Sequence, residues 1–200
     1  MTSHARSHAA GAVPALTPPP GSARLWLFVL VVGLPLLLSA AALAIAPLTG
    51  RATPQPAGGV LGAIAIQLAS VAMLTVPLWA GLDWALRRQT LSIDQGELDV
   101  RTTFFRSRVA LAQLQLAQAR VIDLDEHLEL RPQLKTRGYA LPGLRSGWYR
   151  LRNKRKAFLA LADSRHALWL PTTAGHALLL DVRDPHGLLA LLHERCGHAR

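Results

Sequence analysis

The sequence predicts a membrane protein in which a hairpin of two transmembrane α-helices precedes a mainly-β domain with one C-terminal α-helix. Three observations lead to this fold class. Two long apolar runs without charges, Leu25 to Ala46 and Gly59 to Leu82, lie in the first half of the 200-residue chain. Short apolar segments separated by turn residues follow these runs. The last segment spaces its leucines as one face of a helix does.

The N-terminal segment, residues 1–23, is predicted to be a disordered cytoplasmic tail. It contains Pro18-Pro19-Pro20-Gly21 and has few apolar side chains that could form a core. A high density of proline and glycine interrupts regular secondary structure. We therefore expect no functional site in this segment.

The hairpin is predicted to occupy residues 24–86, with spans at about 25–46 and 59–82. As helices the two runs extend about 33 and about 36 Å, enough to cross a hydrocarbon core of about 30 Å. The connection between them is short and rich in Pro and Gly, which favours antiparallel neighbours. The small residues of Ala42-Leu43-Ala44 also fit a signal-peptide cleavage site, but the apolar stretch is longer than a signal core.

The distribution of arginines around the spans predicts their orientation. Arg24 precedes the first span and Arg87 and Arg88 follow the second, whereas Arg51 alone lies in the connection. Because positively charged flanks stay on the cytoplasmic side, both termini are expected in the cytoplasm. Trp26, Trp79 and Trp84 would then form an aromatic belt at that same interface.

Polar side chains inside the second span leave two interpretations open. Gln67, Ser70 and Thr75 can hydrogen-bond to a neighbouring helix, and Gly58 with Gly62 has the spacing of a helix-packing motif. Such contacts occur within a single hairpin or between this chain and a partner.

The segment after the spans is predicted to be mainly β. Leu91 to Val100 alternates around the turn Asp94-Gln95-Gly96, the pattern of a hairpin with one buried face. Further strands are expected from short apolar segments, and their even spacing favours an antiparallel barrel or sandwich. These segments are Phe104 to Val109, Ala119 to Leu124, Gly147 to Leu151, Ala157 to Leu161, Ala167 to Leu170 and His176 to Val182.

One amphipathic helix is expected at the end of the chain. Asp184 can cap it and Pro185 suits its first turn, while Leu188 and Leu192 share one face. Gly197 can end the helix. The helix is therefore expected to close one end of the β domain.

Several motifs resemble the bacterial pleckstrin-homology-like (PH-like) domains that accompany membrane spans. The resemblance rests on Leu141 to Leu151, Lys156-Ala157-Phe158, Leu168 to Thr172, and Leu178 to Asp181 followed by Asp184-Pro185. It implies a bent, seven-stranded antiparallel barrel over residues 90–196, capped by the C-terminal helix. It also implies a location in the bacterial cytoplasmic (inner) membrane.

A basic stretch without any carboxylate is the candidate binding region. Its positive charge favours an anionic partner, either anionic phospholipid headgroups or an acidic protein surface. A solvated loop without a partner is the alternative, and the scarcity of aromatic residues disfavours nucleic acid. The candidate residues are Arg131, Lys135, Arg137, Arg145, Arg150, Arg152, Lys154, Arg155 and Lys156.

No pattern in the sequence predicts catalysis, a cofactor or a metal site. The histidines are scattered, and the acidic residues Asp123, Asp125, Glu126 and Glu129 lack the spacing of a calcium loop. These acidic residues are expected to pair with neighbouring arginines. Cys196 is the only cysteine, which excludes an intrachain disulfide.

The functional expectation is therefore a non-enzymatic, membrane-anchored module that binds a protein partner or anionic lipid. The alternative is an accessory subunit of a membrane transport or secretion complex, or a homo-oligomer that associates through the spans. The acidic turn Asp94-Gln95-Gly96-Glu97 argues against an inositide pocket at the first hairpin.

Overall fold

The protein is described by a computed structural model over residues 13–46, 59–162 and 166–197. Its chain divides into two compact units. The helical unit comprises Gly21–Leu86, and the β unit combines the residues before Gly21 with those after Leu86. The predicted mainly-β region and the two long apolar helices are thus confirmed.

The helical unit contains two helices that are long and apolar enough to cross a membrane. The first is continuous over Gly21–Ile45 and the second reaches Leu86. The first consists of α1 (Gly21–Phe28), a π-helical turn (Val29–Gly33) and α2 (Leu34–Ile45), and the second is α3 (Gly59–Leu86). The π turn directly precedes Pro35, which lacks an N–H to donate to the preceding turn.

The start of the first helix packs against the end of the second, so the two are antiparallel. Arg24 Nε donates to Asp83 Oδ1 at 2.6 Å, and Arg24 Nη2 donates to Asp83 Oδ2 at 3.2 Å. One turn further along, the rings of Phe28 and Trp79 meet edge to face with centroids 5.3 Å apart. The connection at residues 47–58, including Gly58, lies outside the described residues.

A three-stranded antiparallel sheet begins the β unit. It consists of β1 (Thr90–Asp94), β2 (Glu97–Arg101) and β3 (Arg106–Ala110) in that order. The predicted hairpin is confirmed, with Asp94 opposite Glu97. Gln95 and Gly96 both have positive φ, 48° and 78°, as the tight turn between twisted strands requires.

A six-stranded sheet forms the rest of the β unit, in the order β4-β8-β9-β7-β6-β5. Its β7 and β9 are parallel, which departs from the all-antiparallel, seven-stranded arrangement expected above. The strands are β4 (Arg120–Asp123), β5 (Pro132–Leu141), β6 (Leu144–Leu151), β7 (Lys156–Ala162), β8 (His166–Pro171) and β9 (His176–Leu180).

Both faces of the six-stranded sheet are buried along β7, β8 and β9. Alternate residues of β7 enter different clusters, since Phe158 and Ala160 belong to one and Leu159 and Leu161 to the other. The first cluster also contains Leu98, Val100 and Val109 of the three-stranded sheet. The near-continuous apolar sequences of β7, β8 and β9 therefore reflect burial on both sides.

The terminal helix α4 (Pro185–Gly197) is confirmed. Asp184 Oδ1 accepts the N–H of Gly187 at 2.8 Å, which is the expected N-terminal cap. Leu188 and Leu192 are fully buried in the cluster that contains Leu98. The helix therefore covers the first face of the large sheet.

The N-terminal segment differs from the prediction of a disordered tail over residues 1–23. Leu16 is only 5% exposed and forms a β-bridge with Val182. Thr17 N–H donates to Asp181 O at 3.0 Å, and its hydroxyl donates to Asp181 Oδ1 at 2.6 Å. Residues 13–20, called the N-terminal strap below, are thus part of the β unit, and Gly21 already begins α1. Residues 1–12 lie outside the described range.

Candidate functional site

The predicted basic stretch does not form one patch, because strands β5 and β6 and the turn before β7 distribute its residues over different surfaces. Arg137, Arg150 and Lys156 lie on one face of the sheet, and Lys135 with Arg145 lie on the other. The remaining candidates lie at one end of the sheet: Arg131, Arg152, Lys154 and Arg155. All nine side chains are exposed.

Trp148 is the centre of the first basic face. Lys156 Nζ lies 4.6 Å from the centroid of its ring, a distance typical of cation–π contacts. Arg137 is the cross-strand partner of Trp148, and Arg150 is that of Lys156. Phe158 meets the ring edge to face at 5.2 Å, so Trp148 is held by core packing.

His176 borders this face. Its ring contacts Trp148 with centroids 5.2 Å apart, and it is the parallel-strand partner of Lys156. Burial lowers the pKa of His176, and the positive charge of Lys156 acts in the same direction. His176 is therefore neutral at pH 7, and the charge of this face comes from lysine and arginine.

The opposite face carries its positive charge beside one tyrosine, Tyr149. Lys135 is opposite Tyr149, whose hydroxyl donates to Tyr139 O at 2.7 Å. Burial raises the pKa of Tyr139 and that of Tyr149. Both phenols are therefore protonated at neutral pH and act as neutral hydrogen-bonding groups.

The third group surrounds the turn between β6 and β7. Arg152 N–H donates to Arg131 O at 3.0 Å, which joins this turn to the start of β5. Arg131 forms an ion pair with Asp125 and also donates to Leu124 O at 2.7 Å. The expected pairing of the acidic segment with a neighbouring arginine is thus observed, and it engages Arg131 locally.

A pocket of about 510 Å³ opens beside this turn. Arg120 and Arg155 line it together with Asn153, Glu129 and Trp169. The lining thus contains two guanidinium groups and one amide but only one carboxylate, a balance that favours an anionic ligand group. Arginine binds such a group through its planar fork of N–H donors. Arg155, from the predicted stretch, thus lines a concavity together with Arg120, a basic residue outside that stretch.

The glycines of this region serve close packing. Gly138 and Gly147 are directly opposite each other on β5 and β6. A Cβ on Gly147 would lie 2.5 Å from Arg137 O and 3.1 Å from the Phe105 ring. The two glycines thus let two backbones and an aromatic ring approach closely.

A second basic cluster, outside the predicted stretch, lies on the three-stranded sheet. Arg101 Nε approaches Asp99 Oδ2 at 3.0 Å, Arg108 Nε approaches the same oxygen at 4.0 Å, and Arg106 bonds both carboxylate oxygens of Asp99. The hydrogen bond from Arg106 outweighs burial and lowers the pKa of Asp99. The alternation Arg106-Ser107-Arg108 was the available signal, since it places both arginines on one face of a strand.

The polar side chains of the second span differ in their bonding. The hydroxyl of Ser70 donates to Gln67 O at 2.8 Å, and that of Thr75 donates to Val71 O at 2.9 Å. Both therefore bond within their own helix, not to a neighbouring helix as the sequence suggested. The Gln67 side chain is exposed on the surface of α3.

Within residues 13–46, 59–162 and 166–197, no three or more His, Cys, Asp or Glu side chains come together as a metal site would require. Comparison of the chain with models of protein families, with curated proteins and with solved structures finds no match.

Proposed function

We propose that this protein is a PH-like module anchored in the bacterial inner membrane by two spanning helices, with both termini in the cytoplasm. It binds anionic phospholipid headgroups or an acidic protein partner and catalyses no reaction. The proposal depends on one observation: a basic β unit is combined with two apolar helices. The chain passes from the β unit into these helices at Gly21 and re-enters the β unit after Leu86.

The N-terminal strap supports the predicted topology. Residues before Gly21 and after Leu86 belong to one folded unit, which supports a topology with both ends of the helical hairpin on the same side of a membrane. The arginines Arg24, Arg87 and Arg88 flank those ends, which favours the cytoplasmic side. Signal-peptide cleavage after Ala44 would remove Leu16 and is disfavoured for that reason.

The assignment to PH-like domains is supported by the strand-rich unit and by its single C-terminal helix. The motif Leu141 to Leu151 covers β6 and the turn before it, and Leu168 to Thr172 covers β8 and its end. The motifs that carry the resemblance thus lie on core strands of one unit. The parallel pair β7 and β9 is a feature that the resemblance did not imply.

Lipid binding is tested with the full chain purified in a neutral detergent. Native mass spectrometry would count bound lipids during titration with phosphatidylglycerol or with phosphatidylcholine. We expect more phosphatidylglycerol to stay bound, because each basic residue near an anionic lipid contributes about 1 kcal/mol. Equal retention of the two lipids would remove the lipid-binding proposal.

An accessory subunit of a transport or secretion complex is the second candidate, and the exposed Gln67 favours it. A polar side chain on the surface of a spanning helix gains from a hydrogen bond to a neighbouring helix. Gln67→Leu should then reduce co-purification of a partner subunit, whereas Ser70→Ala, which removes an internal bond, should not. A wild-type chain that is monomeric and purifies alone would contradict this candidate.

A further inference from the structure

The outer face of the three-stranded sheet is polarised along its strands. Thr90, Arg101 and Arg106 form the first cross-strand row, and Asp94, Glu97 and Ala110 form the last. Between them lies the row Ser92, Asp99 and Arg108. The sheet is therefore basic at the end where β1 begins and acidic at its first turn.

The basic end keeps a surplus of positive charge. Arg101, Arg106 and Arg108 share the single carboxylate of Asp99, whose side chain is 11% exposed. One carboxylate offsets one of the three guanidinium charges. The arginine cluster, meaning these three residues, can therefore bind further anionic groups.

The turn between β2 and β3 places an aromatic ring beside the arginines. Phe104 is 60% exposed, and its ring edge contacts Tyr139 at a centroid distance of 5.8 Å. Thr102 N–H donates to Phe105 O at 2.8 Å, which fixes this turn at the end of the strands. Arg101 and Arg106 flank the turn and are cross-strand partners, so the exposed ring and the two cations lie at the same end of the sheet.

The linker that connects the second apolar helix to β1 is short and basic. Only residues 87–89 separate Leu86 from Thr90. Two of those residues are Arg87 and Arg88. Neighbouring strands are about 4.8 Å apart, so Arg101 and Arg106 follow Thr90 at about 5 and about 10 Å.

We propose that the arginine cluster and Phe104 form a binding surface for the headgroups of anionic phospholipids. This inference rests on the proposed membrane anchoring and places lipid binding on the three-stranded sheet instead of the predicted stretch at 131–156. An exposed aromatic ring between cations suits the membrane interface, where the ring enters the headgroup layer and the cations meet phosphate. The acidic residues Asp94 and Glu97, which an anionic layer would repel, lie at the opposite end of the strands.

The test uses the full chain in neutral detergent, titrated with phosphatidylglycerol and followed by native mass spectrometry. The variant Arg101→Gln/Arg108→Gln removes two charges and leaves the paired hydrogen bonds of Arg106 to Asp99. We expect its affinity for phosphatidylglycerol to fall roughly thirtyfold. Arg101→Lys/Arg108→Lys should retain most of the affinity, because the charges remain.

The matched control is Arg150→Gln/Arg152→Gln, which removes the same charge from β6 and the turn that follows it. Loss of binding in this control with unchanged binding in Arg101→Gln/Arg108→Gln would overturn the inference and leave the proposed lipid binding in place. A wild-type chain that binds phosphatidylcholine equally well would overturn both. A thermal unfolding midpoint that matches wild type in lipid-free detergent would show that the variants are folded.

Discussion

Gly147 is a residue at which the backbone of the β unit leaves no room for a side chain. Its φ is 111°, and a Cβ there would lie 2.6 Å from Gly138 Cα and 2.5 Å from a carbonyl oxygen. We predict that Gly147→Ala lowers the free energy of unfolding by about 2–4 kcal/mol, because backbone atoms must move. Chemical denaturation followed by near-ultraviolet circular dichroism would measure it.

Gly175 is the matched control for that substitution. It also has positive φ, 80°, but a Cβ there would have no atom within 4 Å. Gly175→Ala should therefore cost only the backbone strain, about 1 kcal/mol. Equal effects of the two substitutions would show that close packing between β5 and β6 is not what Gly147 provides.

His176 makes the β unit sensitive to mild acid. Burial lowers its pKa, so the unfolded chain takes up a proton on this residue at higher pH than the folded chain does. Its Nε2 is buried and has no hydrogen-bond partner among the residues described. Stability should therefore fall as the pH falls below about 6.5, the ordinary histidine value.

The variant His176→Gln isolates that contribution. The thermal unfolding midpoints of wild type and variant are measured from pH 8 to pH 5. As the pH falls, the midpoint of wild type should decrease relative to that of the variant. The lowered pKa of Asp99 acts only below about pH 4, outside this range. A difference that stays constant across the range would contradict the assignment.

The N-terminal strap is the element whose role the sequence concealed. Proline-rich composition predicts disorder, and local patterning cannot show that Leu16 enters a core built by residues more than 80 positions away. We predict that Leu16→Ala lowers the free energy of unfolding of the β unit by about 2–4 kcal/mol, as for other buried leucines. Denaturation by urea would measure it.

Ala15 provides the control for the strap. Its side chain is exposed, and its carbonyl accepts Arg183 N–H at 3.2 Å whatever side chain it carries. Ala15→Ser should therefore change stability by less than about 0.5 kcal/mol. If Leu16→Ala were equally mild, the strap would not be a structural part of the unit.

Strand β5 shows which elements sequence patterning detects and which it misses. The hairpin of β1 and β2 and the helix α4 were predictable, because periodicity, turn residues and a capping Asp184 agree locally. β5 pairs only with β6 at the edge of the sheet and is exposed at most of its positions, so nothing in its pattern distinguishes it from a loop. Its register with β6 decides which faces Lys135 and Arg137 occupy.

The basic surfaces illustrate the same limit for the candidate site. Counting charges along the chain identified the residues from Arg131 to Lys156, but pairing of β5 with β6 separates them onto different faces. The arginine cluster was overlooked because Arg101 and Arg108 come together only through the pairing of β2 with β3. Composition predicts the sign of the partner's charge, whereas strand register determines where on the β unit that partner can bind.

The molecule as a whole is predicted to pass twice through a membrane and to keep its β unit on the side of its N-terminus. Cysteine labelling in intact cells tests this most directly, in a Cys196→Ser background with a single cysteine at Arg51 or at the exposed Ala112. A membrane-impermeant maleimide should label position 51 in intact cells and position 112 only after the membrane is permeabilised. Labelling of position 112 in intact cells, or of neither position before permeabilisation, would contradict the account.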